Sequence, residues 1–170
     1  STSASSPSIR QYAASSALTL TLTSLASSDT FTAGRESTAV DNSSNKYLDY
    51  LLGGRITAGT SPGDLTEIQV WVFGAVNDTP TYPDVMDGTD SAETWTTEAI
   101  RNACARLAAV MVVDTTSSQV YWFGPLSVSA LFGGSLPKRW GVFVAQNTTV
   151  ALHATAGNHE FEYTGIQYQS

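Results

Sequence analysis

The sequence predicts an all-β protein, an antiparallel β-sandwich of about eight or nine strands. Three observations carry this. Apolar and polar residues alternate with a period of two, first at Ala17–Leu25 (ALTLTLTSL). There Leu18, Leu20 and Leu22 fall on one side of an extended chain and Thr19, Thr21 and Thr23 on the other. Turn-forming clusters recur between such runs at the spacing of a sandwich or barrel. The composition is also that of a sheet protein: only 14% of residues are charged, while Ser and Thr make up about a quarter.

Ser1 to about Ser16 is small and polar and is interrupted by Pro7. Such a segment buries too little surface to order itself, so residues 1–16 read as a flexible arm ahead of one sandwich domain, 17–170. Ile9, Arg10 and Tyr12 are the residues in it large enough to grip a partner. After the first strand, VDNSSN (Val40–Asn45) is a dense turn signal. Tyr47–Thr57 then places Leu48, Tyr50 and Leu52 on one face, and Gly53-Gly54 breaks it as glycines do at bulges. Glu67–Val76 is apolar on both faces, Ile68, Val70 and Val72 against Trp71 and Phe73, so it is central or covered. Asn77–Thr94 is a long loop without periodicity, the kind that often carries function. Thr97 either caps a short helix carrying Ile100, Ala103 and Leu107 or begins an irregular lead into the next strand. Leu107–Val113 and Gln119–Phe123 are strands, the second ended by Gly124-Pro125. Arg139–Ala145 and Val150–Thr155 follow, and Ala156-Gly157-Asn158 turns the latter into a last strand, His159–Tyr168. Its apolar phase flips at Gly165, which predicts a bulge there. The expected core includes Leu18, Leu20, Leu22, Val70, Val72, Val110, Val142 and Val144.

A net charge of −7 and a pI near 4.5 argue against nucleic acid, whose phosphates need a basic footprint. No apolar run approaches the length of a membrane-spanning helix. Cys104 is the single cysteine, so an internal disulfide or a cysteine zinc site is excluded, and it reads as a small buried residue. The N-terminus lacks the apolar stretch of a secretory signal. The chain is therefore expected to be made in a cytoplasm, its Met removed ahead of Ser1.

Few residues invite a chemical reading. Asp84, Asp87 and Asp90, in DVMDGTD, are spaced every third residue, whereas an EF-hand loop alternates its ligands and closes on a distal Glu. They read as a solvated acidic loop and as candidate partner contacts together with Ile9, Arg10 and Tyr12. His153 and His159 flank the last turn and lack a third metal ligand. Glu160 and Glu162 share the outward side of their strand, with no sign of the cleft that a glycosidase pair requires. Trp71, Trp122 and Trp140 could stack on sugars, but each lies in an alternating strand, where core packing is the favoured reading. The expectation is a chain with no catalytic, cofactor-binding or metal-binding residues.

Two segments carry a resemblance. Ala39–Gly59 holds Val40-Asp41-Asn42 and Tyr47-Leu48-Asp49. Ser129–Gln169 holds Leu136-Pro137, Trp140-Gly141-Val142 and Ala156-Gly157-Asn158-His159. Together they cover roughly a third of the chain, and they resemble structural proteins of tailed-bacteriophage virions. The resemblance implies a small jelly-roll-like sandwich, and a non-enzymatic capsid decoration or cement protein. Its expected partners are the major capsid protein or other virion proteins, and copies of itself, with a trimer favoured. No nucleic acid, membrane or cofactor is expected, and the virion is the expected location. The alternative is a tail- or fibre-associated module binding a host receptor or glycan through the tryptophans and the 77–94 loop. The shared segments are turns and strands, so no site residue carries over.

Overall fold

The computed structural model describes residues 9–169, with side chains from 11 to 168. The first eight residues of the expected arm lie outside this range. Two antiparallel sheets pack face to face. In sheet A the order is β1 (Ile9–Tyr12), β11 (Glu160–Gln169), β5 (Asp49–Thr57) and β9 (Val120–Ser127), with β2 (Ser16–Ala17) also on β11. In sheet B it is β7 (Ser91–Thr94), β3 (Ala33–Glu36), β10 (Arg139–Gln146), β6 (Thr66–Ala75) and β8 (Arg106–Val113), with β4 (Val40–Asp41) also on β10. The helices are short, α1 (Glu98–Cys104) and α2 (Val128–Leu131).

Alternation decides which side chain goes where. Tyr50, Leu52 and Ile56 of β5 meet Ile68, Val70 and Val72 of β6 and Trp140, Val142 and Val144 of β10 in the core between the sheets. The opposite faces of β6 and β10 carry Trp71, Phe73, Phe143 and Ala145, which are buried too. What covers them is residues 77–105, folded back over sheet B: Met86, Trp95 and Ala105 complete this second core, and Tyr82, Ile100 and half-buried Cys104 pack on its rim. Thr97 does cap α1, accepting from the Ile100 N–H. Arg101 then docks the helix, its guanidinium 4.5 Å from the Trp71 ring centre and bonded to the carbonyls of Thr30 and Phe31. Gly34 permits the close approach of β3, because a Cβ there would lie 2.2 Å from the Val144 carbonyl oxygen.

Several expectations need correction. The arm does not run to Ser16: Ile9–Tyr12 pairs with Gln169–Ile166, and Ser16–Ala17 with Tyr163–Glu162, so the C-terminal strand supplies the partner within the chain. Ala17–Leu25 keeps its alternation, with Leu18 and Leu22 buried and Leu20 partly so, but forms no strand beyond Ala17. It is a strap across the side of the sandwich, tied by single backbone bonds to Phe161 on sheet A, to Thr38, and to His153 and Leu152. Val150–Thr155 is likewise irregular, so the Ala156–Asn158 turn leads into β11 without a hairpin. Val110 faces water on the edge strand β8, 42% exposed. Leu48 is exposed as well, outside β5. Strand β9 continues through Gly124-Pro125 to Ser127. At Gly53-Gly54 the register against β9 does shift, as the glycine pair predicts. At Gly165 the ladder with β5 runs unbroken. The glycine is needed there because a Cβ would come within 2.3 Å of the Tyr47 ring.

The strap makes a sharp test of what holds this fold. Leu22 is 2% exposed although its backbone joins no ladder. Leu22→Ala should lower stability by about 2–4 kcal/mol, as a core truncation does, and Leu20→Ala by clearly less. Urea unfolding of the two variants checks this. Equal, small losses would mean that the strap merely lies on the sandwich.

Candidate functional site

Three places bring reactive or recognisable side chains together. The first is on the cover of sheet B, where the acidic loop lies. The three aspartates do not converge there. Asp84 caps residue 96, accepting from the Thr96 N–H at 2.7 Å and its hydroxyl at 2.7 Å. Asp87 accepts from the N–H and hydroxyl of Thr89, which hold its carboxyl below the usual range. Asp90 bridges Arg35 and Thr21: it accepts from Arg35 Nε at 2.8 Å and from the Thr21 N–H and hydroxyl at 3.0 and 2.6 Å. Burial pushes its pKa up, and these donors outweigh it. Asp84 and Asp87 therefore shape the cover from within, and Asp90 fastens it to β3 and to the 17–25 segment.

Behind them sits a carboxyl that sequence reading missed. Glu36 ends β3, opposite Phe143, and is fully buried. Its oxygens accept from the backbone N–H groups of Asp87 and Gly88 at 3.0 and 3.1 Å and from the Ser91 hydroxyl at 3.3 Å. Desolvation raises its pKa from 4.5 to about 7, the two amides opposing and the nearby Asp87 carboxyl assisting. Carboxylate oxygens of Glu36, Asp87 and Glu93 lie within 4.8 Å of one another. Hard cations favour such oxygens, but Glu36 spends its own on donors that anchor the loop. The signal available in the sequence was a lone acid on the alternating, inward position of a short strand.

The second place is the histidine pair. His159 is buried; its Nδ1 accepts from the Thr57 N–H at 3.2 Å, so the proton is on Nε2, which donates to the His153 carbonyl at 2.8 Å. His153 Nδ1 in turn accepts from the Thr155 N–H. Burial lowers the His159 pKa. A neutral ring with both nitrogens used is a structural brace between β5 and the last turn.

The third place is the outer face of sheet A, where Trp122 of β9 and Glu162 of β11 are exposed. Arg55 of β5 lies directly opposite Trp122 of β9 and Glu160 of β11, so the three form one row across the sheet. Arg55 donates to Glu160 at 3.3 Å and to the Gly157 carbonyl at 2.9 Å, and its guanidinium is 5.8 Å from the Trp122 ring centre. One row along, Gly53 faces Glu162, and the lack of a side chain at Gly53 leaves a depression of about 300 Å³ beside Trp122, lined also by Gly54. A second depression of about 410 Å³, reaching Pro125, Thr164 and Tyr12, shares Gly53 and Glu162 with the first. Together they make one shallow groove. Its ends are Trp122, 71% exposed, and Tyr12, 60% exposed. Trp71 and Trp140, by contrast, are buried as core residues.

The candidate contacts are thus divided between two faces. Tyr12 belongs to the groove on sheet A, Ile9 and Arg10 precede it in β1, and the aspartates belong to the cover of sheet B. Among the described residues no helix is long and apolar enough to cross a membrane. No family model, curated protein or solved structure matches the chain.

Buried Glu36 and His159 act on stability with opposite signs. The folded pKa of Glu36 is raised, so its contribution is full below 4.5 and is lost as pH rises through about 7. That of His159 is lowered, so its contribution is full above 6.5 and is lost as pH falls through the folded value. Glu36→Gln removes the first and keeps the second. Relative to wild type, this variant should gain stability from pH 4.5 to 8, by at most about 3 kcal/mol, measured by urea unfolding at each pH. A constant difference would mean that Glu36 titrates in the fold as it does in the unfolded chain.

Proposed function

We propose that this chain is a non-enzymatic structural protein of a bacteriophage virion, a decoration or cement protein that docks on the shell. The observation that carries the reading is the strand order. Setting aside β2, β4 and β7, eight strands remain, and they pair first with last (β1–β11), then β3–β10, β5–β9 and β6–β8. Such an order supports reading the chain as one long hairpin of four strand pairs rolled up on itself, as in a jelly roll. Double-sheet jelly rolls recur in viral capsid domains. The resemblance of the segments around Val40–Asp49 and Leu136–His159 to phage virion proteins points the same way.

A docking surface is available at β8. This edge strand has no charged residue from Leu107 to Val113, and Leu107, Val110 and Val112 are 43%, 42% and 56% exposed. An uncharged, apolar edge of this length invites pairing with another chain. Its partner in this reading is the major capsid protein or a further copy of this chain, with the trimer as the expected oligomer. Such contacts are apolar and backbone-mediated, so they outlast salt that screens surface charges.

Two measurements test this. Imaging of particles that carry the chain should find hundreds of copies on the head; a handful at a tail tip would favour receptor binding. Val110→Lys with Val112→Lys should leave the melting temperature within about 2 °C, because both positions are exposed, and should abolish attachment or self-association. Full occupancy by the double variant would remove β8 from the interface.

A further inference from the structure

From the row Trp122–Arg55–Glu160 and the glycine-floored groove beside it, we propose that the outer face of sheet A is a binding site for a neutral pyranose oligosaccharide. This goes beyond a shell-docking role and does not depend on it.

The argument begins with shape. From the row of Arg55 to that of Asp49, Ile166 and Tyr12 the groove spans six residue steps of β5, about 20 Å at the rise of an extended strand. Gly53 and Gly54 form its floor, and Trp122 and Tyr12 stand at opposite ends. A ligand that uses both aromatic ends must be several rings long and extended. It must also tolerate solvent, since the groove is shallow.

Chemistry narrows the class. A pyranose ring has an apolar C–H face and a rim of hydroxyls. An exposed indole offers a flat apolar surface for the first. The second needs donors and acceptors held in one plane beside it. Arg55 supplies guanidinium N–H groups and Glu160 and Glu162 supply carboxylate oxygens, all on the same face of the sheet as Trp122. Arg55 is pre-positioned by Glu160 and the Gly157 carbonyl, so little side-chain entropy remains to be lost on binding. Charge excludes polyanions: the groove has two carboxylates against one guanidinium, on a chain of net charge −7. An aromatic groove that discriminates against anions while offering paired acceptors and donors fits a neutral polyhydroxyl ligand.

The test uses the full chain and Trp122 fluorescence. Trp71, Trp95 and Trp140 are 7%, 1% and 0% exposed, so an exposed ligand reports through Trp122. The probes are cellotetraose, maltotetraose, tetra-N-acetylchitotetraose and tetramethylammonium. At least one tetrasaccharide should shift the emission saturably, with a Kd of about 0.1–1 mM. By calorimetry, Trp122→Ala should weaken that binding about tenfold or more, and Glu162→Gln, which keeps the reporter, by about threefold. Both positions are exposed, so melting temperatures should hold. Four results would overturn the proposal: no shift with any sugar up to about 10 mM, unaltered binding by Trp122→Ala, saturation by tetramethylammonium alone, or an emission change with protein concentration alone. The last would mean that a second copy covers the groove.

Discussion

The pairing of β10 with β6 is the constraint on which the rest of this structure depends. Eight residue pairs join them without interruption, from Arg139 opposite Ala75 to Gln146 opposite Ile68. Every residue from Trp140 to Gln146 is buried. A strand pair that is apolar on both faces cannot be satisfied by one opposing sheet. Sheet A covers the face of Val142 and Val144, and something else must cover Phe143 and Ala145. That requirement accounts for residues 77–105, which would otherwise be a long loop with no structural reason. It also accounts for the burial of Glu36, since β3 runs beside β10 on the same covered face.

The cover is held by polar groups as much as by apolar ones. Met86 and Trp95 supply surface, but Asp84, Asp87, Asp90 and Glu36 supply the geometry, each fixing a backbone N–H or a guanidinium. Such bonds cost little to keep and much to break when one partner is buried. A similar device closes the other side of the sandwich. Gln146, fully buried, donates to the carbonyls of Leu25 and Val150 and accepts from the Thr148 N–H and hydroxyl. One amide thus ties the strap and the irregular 150–155 segment to the end of the central strand, in place of the ladder both lack.

This division explains what was legible in the sequence. Periodicity reports which side chains are buried, and it placed Leu18, Leu22, Val70, Val142 and Val144 correctly. It does not report what the backbone bonds to, so the strap read as a strand and Val150–Thr155 did too. Nor does it report which sheet edge a strand occupies. Val110 alternates as well as Val70 does, but β8 is the last strand of sheet B and its outward side has no cover. The phase flip at Gly165 came from Ile166 and Tyr168, which share a side that on most of β11 is polar. At the candidate groove the sequence held the pieces, the Gly53-Gly54 pair, Trp122, Glu160 and Glu162. Their meeting depends on two long-range registers that no local pattern encodes.

Trp71 and Trp122 show why the groove lies on sheet A. Both are tryptophans on strands, both point away from the space between the sheets, and both have an arginine over the ring. Trp71 sits under α1, with Arg101 closing over it, and is 7% exposed. Trp122 has only Arg55 at 5.8 Å and stays 71% exposed. Covering the face of sheet B consumed the one long insertion that the chain carries between two core strands. Among the described residues no comparable segment returns over the row of Arg55, Trp122 and Glu160. A large aromatic left in water on an otherwise well-packed sandwich forfeits roughly 1.5–3 kcal/mol of burial. That loss is offset only when something else comes to cover the ring, and on this face the glycine floor, the carboxylates and the guanidinium determine what fits.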